Sequence, residues 1–366
     1  LDTVRADHLS AWGYHRPTTP ELDAFGDSAT RFARAKATAP WTLPSHASMF
    51  TGLYPFEHTA HTVWYDPAQP DSSLIDNVRP LPDRAVTIAE VLSDAGYQTA
   101  GVVANPVFLT PRYNIDQGFD HWDVGLRRVD EVNADALQWL DTRNPDQPFL
   151  LFLNYMDAHS PYNTDTPRPE VAELEETDSR ALLDELHPLV MPGEEDGPED
   201  RLAVLRDQYD VALRNLDHGL GEFFDALRER GLLDEVVLLV TSDHGEFLGE
   251  HRLIAHSKDV YEPVMAVPMW IKAPGQTTGS IEEDAVSLAQ VPDLIAAHCP
   301  PLASREWATT WPAGLVLAEN HFTRLKDLRK PWAHRFLRSR WVVYENDRKF
   351  IQSSDGKIEA YDLAED

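Results

Sequence analysis

A hydroxyl residue, Thr42, stands just ahead of a proline and a serine and of a short helix-forming run that Gly52 ends. Ser45 can cap that helix, so the unpaired N–H groups at its start would face the same space as Thr42. A hydroxyl beside the positive end of a helix can attack or hold an anionic ester. By itself this pattern more often indicates simple helix capping. Two other stretches of the chain change that interpretation.

Two predicted strand ends supply carboxylates and an imidazole. Residues 236–240 are apolar and rich in β-branched valine, and a Ser-Asp-His-Gly sequence containing Asp243 and His244 follows them closely. This predicts a buried parallel strand with Asp243 and His244 at its C-terminal edge, where α/β sheets keep their sites. Asp2 is expected to end another strand, of which only one residue precedes it. Together with the Thr42 hydroxyl, these side chains suit one divalent cation; in the alternative, Asp243 and His244 only form a turn.

These stretches resemble the sulfatase family of the alkaline phosphatase superfamily. The family pattern is an Asp-x-x-Arg opening, a nucleophile in Cys/Ser-x-Pro-Ser-Arg-x-x-x-x-Thr-Gly, and a late Ser-Asp-His/Asn-Gly-Glu. In this chain the matching positions, in the same order, are Asp2, Arg5, Pro44, Ser45, Thr51, Gly52 and Ser242 through Glu246. The resemblance extends over nearly the whole chain. It implies a fold and a superfamily but no particular substrate.

The resemblance implies that Asp2, Asp243 and His244 hold one divalent cation, with the Thr42 hydroxyl completing the ligand set. His244 stands where many calcium-binding sulfatases carry Asn. Because imidazole is a poor ligand for Ca²⁺, Mn²⁺ or Zn²⁺ is favoured, with Ca²⁺ or Mg²⁺ as the alternatives. Thr3 stands where many relatives have a second Asp or a Gln, so we expect fewer ligands here.

Thr42 is also where the chain departs most from the family. Sulfatases convert a Cys or Ser at this position to formylglycine, and the secondary alcohol of threonine cannot yield that aldehyde. We therefore expect no formylglycine, and we expect Thr42 to attack as itself and form a threonyl ester. This resembles the phosphodiesterase and glycerolphosphate-transferase members of the superfamily. The motifs indicate sulfate esters and the nucleophile favours phosphate esters, including glycan or lipid-linked ones.

Four further residues are assigned catalytic or bracing roles by the resemblance. His46 replaces an Arg that steadies the nucleophile and the bound oxyanion, and would do so when protonated; alternatively it is a helix-surface residue. His159 matches a His that contacts the ester, packing being the alternative. His256 falls where relatives carry the Lys that protonates the leaving group. Arg5 is predicted to brace the loop under the cation.

Lys258 lies two residues beyond His256. We predict that His256 is the general acid and that Lys258 binds the substrate as an oxyanion contact. The division of these two roles stays open at this point, because both residues are close to the position of the family's lysine. Both side chains carry the N–H donors that an anionic ester requires.

The charge balance limits the choice of partners and compartments. The 366 residues include 61 Asp and Glu against 32 Lys and Arg, of which seven are Lys, for a net charge of −29. This composition favours the cytoplasm of a halophile, where salt screens self-repulsion; an ordinary acidic protein is the alternative. It disfavours nucleic acid as a partner. No apolar run is long enough to span a membrane, but export stays open because the sequence begins within a motif.

Alternating helix and strand patterns predict a doubly wound, mostly parallel α/β sheet flanked by helices in residues 1–300. Residues 163–200 are acidic and contain several prolines, and we predict an insertion or flexible lid. Short strands with tight turns predict a small antiparallel subdomain in residues 301–366, similar to the C-terminal subdomain of sulfatases and expected to be cut short. The single cysteine, Cys299, excludes an internal disulfide.

The leading hypothesis is a metal-dependent hydrolase or transferase of sulfate or phosphate esters. The second hypothesis is a degenerate sulfatase fold that binds an anionic glycan without turnover. The missing formylglycine residue, the His at position 46 and Thr3 motivate the second hypothesis. The intact set of cation ligands argues against it, because a binding protein has no need of them.

Overall fold

The computed structural model describes residues 1–64, 74, 76–174, 178–307, 312 and 314–365. Its α-helices, α1 to α11, are Pro20–Gly26, Thr42–Thr51, Pro55–His58, Ile88–Asp94, Val129–Thr142, Ser179–Val190, Glu199–Glu229, Glu262–Met265, Val291–Ala296, Pro300–Ala303 and Leu325–Leu328. Its strands, β1 to β13, are Thr30–Lys36, Gln98–Val103, His121–Val124, Phe149–Asn154, Leu238–Thr241, Phe247–Leu248, Ile254–Ala255, Met269–Lys272, Ser280–Ser287, Leu315–Asn320, Arg340–Glu345, Arg348–Ser353 and Ile358–Asp362. Among the described helices, none is both long enough and apolar enough to cross a membrane.

Two sheets form the framework of the first 300 residues. One has the order β5-β8-β1-β9 and the other the order β3-β2-β4. The second sheet is parallel throughout, whereas β8 runs antiparallel to both of its neighbours in the first. The predicted α/β fold is confirmed, and the larger sheet is mixed because β8 enters it in the opposite direction.

The first two residues connect the two sheets at one edge. The Leu1 amino group donates to the Thr241 carbonyl (2.7 Å) and the Asp243 N–H donates to the Leu1 carbonyl (3.1 Å), which is a parallel pairing pattern. The Asp2 N–H donates to the Tyr155 carbonyl at 2.9 Å. An apolar cavity of about 620 Å³ lies between β4 and β5, and Leu1, Tyr155 and Thr241 are among the residues that line it. The C-terminal ends of β4 and β5 are therefore fixed on either side of Asp2.

The C-terminal region is a four-stranded antiparallel sheet, as predicted, in the order β10-β11-β12-β13. Its strands alternate buried and exposed residues, as expected for a sheet with one face on a core. Within residues 163–200, α6 buries Leu182 and Leu186 completely and packs on the long helix α7. This part of the predicted insertion is helical, residues 175–177 lie outside the described residues, and a lid function stays a prediction.

Ion pairs of two buried lysines attach the C-terminal sheet to the sheet that contains β1. Glu262 of α8 pairs with Lys36 of β1 and, at 2.8 Å, with Lys349 of β12. The Tyr344 hydroxyl donates to the same carboxylate at 2.8 Å. Burial alone would raise the pKa of Glu262, but Lys349 and Lys36 hold it well below its usual value. The carboxylate is therefore ionised and stabilises the junction at neutral pH.

Replacing Glu262 with Gln is expected to lower the free energy of unfolding by about 2 kcal/mol at pH 7, because two buried lysines lose their counter-ion; partial exposure of the pair reduces the effect. A carboxylate with a lowered pKa stabilises the fold above its unfolded pKa and loses that contribution as pH falls. Below about pH 4.5, the free energy of unfolding of the variant should therefore fall less steeply with decreasing pH than that of the wild type. Urea unfolding across pH measures both effects.

The control for this experiment is Glu185→Gln, which removes an exposed pair with Arg201. It should change the free energy of unfolding by less than about 1 kcal/mol. Equal stability of Glu262→Gln and wild type at pH 7 would contradict the role given to this junction.

Candidate active site

Asp2, Asp243 and His244 meet at the edge where the two sheets join. One ligand atom from each residue lies within 4.8 Å of the other two, and all three side chains are buried. His244 Nε2 is 3.3 Å from Asp243 Oδ2 and 3.9 Å from Asp2 Oδ1. In the described ranges this is the one cluster of three His, Cys, Asp or Glu side chains that could hold a metal ion.

The ligand atoms of this cluster suit a divalent cation. His244 donates from Nδ1 to the Gly245 carbonyl (2.9 Å), which leaves the Nε2 lone pair available. Asp2 Oδ1, Asp243 Oδ2 and His244 Nε2 are buried and have no hydrogen-bond partner among the described residues. Buried polar atoms are rarely left unpaired, so three that converge on one point indicate a ligand position.

The electrostatics of the cluster agree with that interpretation. Burial and the charge of Asp2 raise the pKa of Asp243 well above its usual value. Burial would also raise the pKa of Asp2, but His159, His244 and the Asn105 amide lower it. Burial lowers the pKa of His244, so its imidazole is neutral and able to ligate. Two facing carboxylates in a buried space are stabilised by positive charge between them.

Thr42 lies next to this cluster, as the sequence predicts. The side-chain nitrogen of Asn105 is 2.9 Å from Asp2 Oδ2 and 3.5 Å from Thr42 Oγ1, so Thr42 and Asp2 share one neighbour. Helix α2 begins at Thr42 itself, so the N–H groups of its first turn start at this residue. The expected cap is wrong, because Ser45 instead donates to the Asp243 carbonyl at 2.6 Å. That bond ties α2 to the strand end that carries two of the ligands.

His46 is completely enclosed beneath this site. Its Nδ1 donates to the Thr42 carbonyl at 2.9 Å and lies 3.5 Å from Asp243 Oδ2. Burial lowers the pKa of His46 to about 4, so the imidazole is neutral at pH 7. Burial therefore disfavours the protonated His46 that was expected to steady an oxyanion, and the 2% exposure of this residue contradicts the surface alternative. A contact of neutral His46 with substrate stays a prediction.

His159 and His256 lie on the other side of the ligand cluster. The His256 ring is 4.6 Å from that of His244 and 5.0 Å from that of His159, centre to centre. Glu246, fully buried, places Oε1 2.9 Å from His256 Nδ1. Burial raises the pKa of Glu246 to about 7 and lowers that of His256 well below its usual value. The Glu246 contact fixes the ring and leaves His256 Nε2 for other partners.

Lys258 and Arg5 make their contacts outside the ligand cluster. Lys258 Nζ is 2.6 Å from Asp327 Oδ2, an ion pair with the C-terminal region, so its role as an oxyanion contact stays a prediction. The Arg5 guanidinium is buried, pairs with Glu250 at 2.7 Å and donates to the Glu246 carbonyl at 3.0 Å. These contacts hold the loop that follows His244, and a bracing role of Arg5 under a bound cation stays a prediction.

Thr3 does not join the ligand cluster. Its hydroxyl donates to the Ala158 carbonyl at 2.8 Å, and its backbone has φ = 62°, a strained region for a β-branched residue. Sequence reasoning gave no role to Asn105 or to Glu246. Glu246 closes the Ser-Asp-His-Gly-Glu motif, which was a usable signal, and Asn105 follows a predicted strand, which was a weaker one.

Known proteins share this architecture. Residues 1–298 match the family model described as Sulfatase. The chain is 25% identical over 410 residues to arylsulfatase K of Bos taurus, covering 95% of this chain and 72% of that protein. It is 22% identical over 330 residues to an endo-4-O-sulfatase of Bacteroides thetaiotaomicron, covering 77% of this chain and 62% of that protein.

A solved structure agrees with the fold. The phosphonate monoester hydrolase of Agrobacterium radiobacter superimposes with a TM-score of 0.72 at 19% identity, covering all of this chain and 88% of that one. A likeness at this identity shows the fold. The family match extends over most of the chain and includes the strand ends that carry Asp2, Asp243 and His244. The chain therefore belongs to the sulfatase family.

Proposed function

We propose that this protein is a metal-dependent hydrolase or transferase of sulfate or phosphate esters, with Thr42 as its nucleophile. The observation that carries the proposal is the Asn105 amide, which contacts both Thr42 Oγ1 and Asp2 Oδ2 beside three unpartnered ligand atoms. The names arylsulfatase and phosphonate monoester hydrolase, given to two similar proteins, describe hydrolases of anionic esters. Their substrate classes are transferred here as part of the proposal.

Asp2, Asp243 and His244 would hold one cation, and two carboxylates with one imidazole favour Mn²⁺ or Zn²⁺. Such an ion, when bound, stabilises negative charge on the hydroxyl and on the ester. Thr42 loses its hydroxyl proton to solvent, Oγ attacks the sulfur or phosphorus, the bond to the leaving alcohol breaks, and a threonyl ester remains. Water or an acceptor alcohol then attacks that ester, and Thr42 leaves and takes a proton back from solvent to restore its hydroxyl.

His256 is placed to handle the proton of this exchange. With a protonated Glu246 donating to Nδ1, Nε2 carries the ring proton and can give it to the leaving alcohol while the Glu246 proton passes to Nδ1. In the second step the same atom takes a proton from the incoming water or alcohol. His159, whose ring packs against His256, is proposed to contact the oxygens of the bound ester. His46 stays in the proposal as a neutral residue that positions the Thr42 carbonyl.

Threonine as nucleophile limits how the intermediate can break down. Because Thr42 cannot form an aldehyde, the threonyl ester is released by attack at sulfur or phosphorus and not by collapse of a hydrate. Such attack is the ordinary chemistry of phosphate esters. The similar proteins favour sulfate esters and the nucleophile favours phosphate esters, so p-nitrophenyl sulfate, p-nitrophenyl phosphate and bis-p-nitrophenyl phosphate should be compared directly.

Replacing Asp243 with Asn tests the cation site. The variant is expected to lose the rise in melting temperature that Mn²⁺ or Zn²⁺ produces, with affinity lowered more than about 100-fold, beyond the loss typical of residues that only support a ligand. In chelator its melting temperature should exceed that of wild type, because one of two facing carboxylates is gone. Asp196→Asn, on an exposed side chain, is the control. An unchanged metal-induced shift would contradict the assignment.

Replacing Thr42 with Ala tests the nucleophile. We expect kcat to fall by about 10³-fold or more, while the metal-induced rise in melting temperature persists because three ligands remain. Thr42→Ser, which keeps a hydroxyl, should retain measurable activity and allow the covalent ester to be detected by intact-mass spectrometry. Equal activity of the Ala variant would refute the assignment. Metal binding with no turnover of any ester by wild type would instead indicate the glycan-binding alternative.

Replacing His256 with Gln tests the general acid. We expect kcat to fall by about 10²-fold for esters of alkyl alcohols and by much less for p-nitrophenyl esters, because a good leaving group needs no proton. Glu246→Gln should show the same dependence with a smaller loss. His251→Gln, an exposed histidine in the same segment, is the control. Equal losses on both ester types would assign His256 a role other than proton donation.

A further inference from the structure

Two cationic side chains contact one carboxylate in the C-terminal region, and a third lies near it. Lys258 Nζ is 2.6 Å from Asp327 Oδ2, and Arg324 Nε is 3.9 Å from the same atom. Lys326 lies in the electrostatic field of both Arg324 and Asp327, and Asp76 is the second acid nearby. We call Lys258, Arg324 and Lys326 the cationic cluster. The whole chain has a net charge of −29, so the positive charge of this cluster is a local exception.

The cationic cluster borders the candidate active site. The Ser257 N–H donates to the Pro40 carbonyl at 2.8 Å, which ties the Lys258 loop to the segment before Thr42. The Arg324 guanidinium stands 5.0 Å from the Phe108 ring centre, and the Phe108 N–H donates to Asn105 Oδ1 at 3.0 Å. Phe108 thus contacts Arg324 through its ring and Asn105 through its backbone, and the side-chain nitrogen of Asn105 contacts Thr42.

The hydrogen-bonding capacity of this cluster is incompletely used. Arg324 Nε is buried with no hydrogen-bond partner in the described part of the chain, and only 13% of the Arg324 side chain is exposed. Burial lowers the pKa of Arg324, and it lowers that of Lys258 to about 8 even though Asp327 opposes the change. Charges taken out of water require partners. Asp327 and Asp76 balance two of the three positive charges, and Arg324 Nε is left without a hydrogen bond in the described part of the chain.

We infer that the cationic cluster binds a second anionic group of the substrate, a sulfate, phosphate or carboxylate on the same molecule as the ester that Thr42 attacks. The inference rests on the proposed function for the identity of that ester. A guanidinium beside a lysine matches an oxyanion with two or three oxygens, and its charge-assisted hydrogen bonds are the strong ones. The preferred substrates are therefore esters with at least two anionic groups.

The experiment measures affinity in the Mn²⁺-loaded Thr42→Ala protein, in which turnover is blocked. Calorimetry compares matched pairs that differ by one anionic group: N-acetylglucosamine 6-sulfate with glucosamine 2-N,6-O-disulfate, and fructose 6-phosphate with fructose 1,6-bisphosphate. We expect the dianionic member of at least one pair to bind about tenfold more tightly. Added Arg324→Gln should abolish that advantage and added Lys326→Ala should reduce it.

Two variants complete the test. Arg329→Ala removes an exposed charge immediately after α11, the helix that carries Lys326, and should leave the tighter binding of the ligand with two anionic groups unchanged. Asp327→Asn removes the acid that competes with the ligand and should increase the advantage several-fold. No preference in either pair, or a preference that survives loss of both Arg324 and Lys326, overturns the inference. A wild-type protein that turns over no ester but keeps the dianion preference overturns the proposed function alone.

Discussion

The facing carboxylates of Asp2 and Asp243 are the constraint on which the rest of the site depends. Both are buried, each disfavours ionisation of the other, and a neutral imidazole at 3.3 Å does not compensate their charge. Bringing them together requires the hydrogen bonds of Leu1 and Asp2 to the ends of both sheets. Placing these two buried carboxylates side by side therefore costs folding free energy, as is common at functional sites.

Much of the fold and of the ligand set could be predicted from the sequence. An apolar run followed by Asp and His is typical of a buried strand that ends at a sheet edge, so the positions of Asp243 and His244 could be predicted from the sequence. Thr42 was accessible because a helix start beside a hydroxyl is a local feature. The reversed strand β8 was not, since direction within a sheet depends on the path of distant connections.

The errors concern burial and long-range pairing. His46 looked like a cationic substitute for an arginine, but a sequence does not show that every residue of α2 is enclosed, and enclosure keeps that imidazole neutral. Ser45 fitted a capping pattern, yet a carbonyl nearly 200 positions away accepts its proton. The contact of Glu246 with His256 spans ten positions and depends on the β6–β7 hairpin that lies between them.

Because Leu1 and Thr3 donate hydrogen bonds to partners 240 positions later, the cluster of Asp2, Asp243 and His244 cannot assemble in a growing polypeptide before residues 243 and 244 have been synthesised. Incomplete chains emerging from the ribosome hold isolated acids with little affinity for trace metals. A cation would then bind only late in synthesis, because the order of the residues along the chain places Asp243 and His244 far from Asp2.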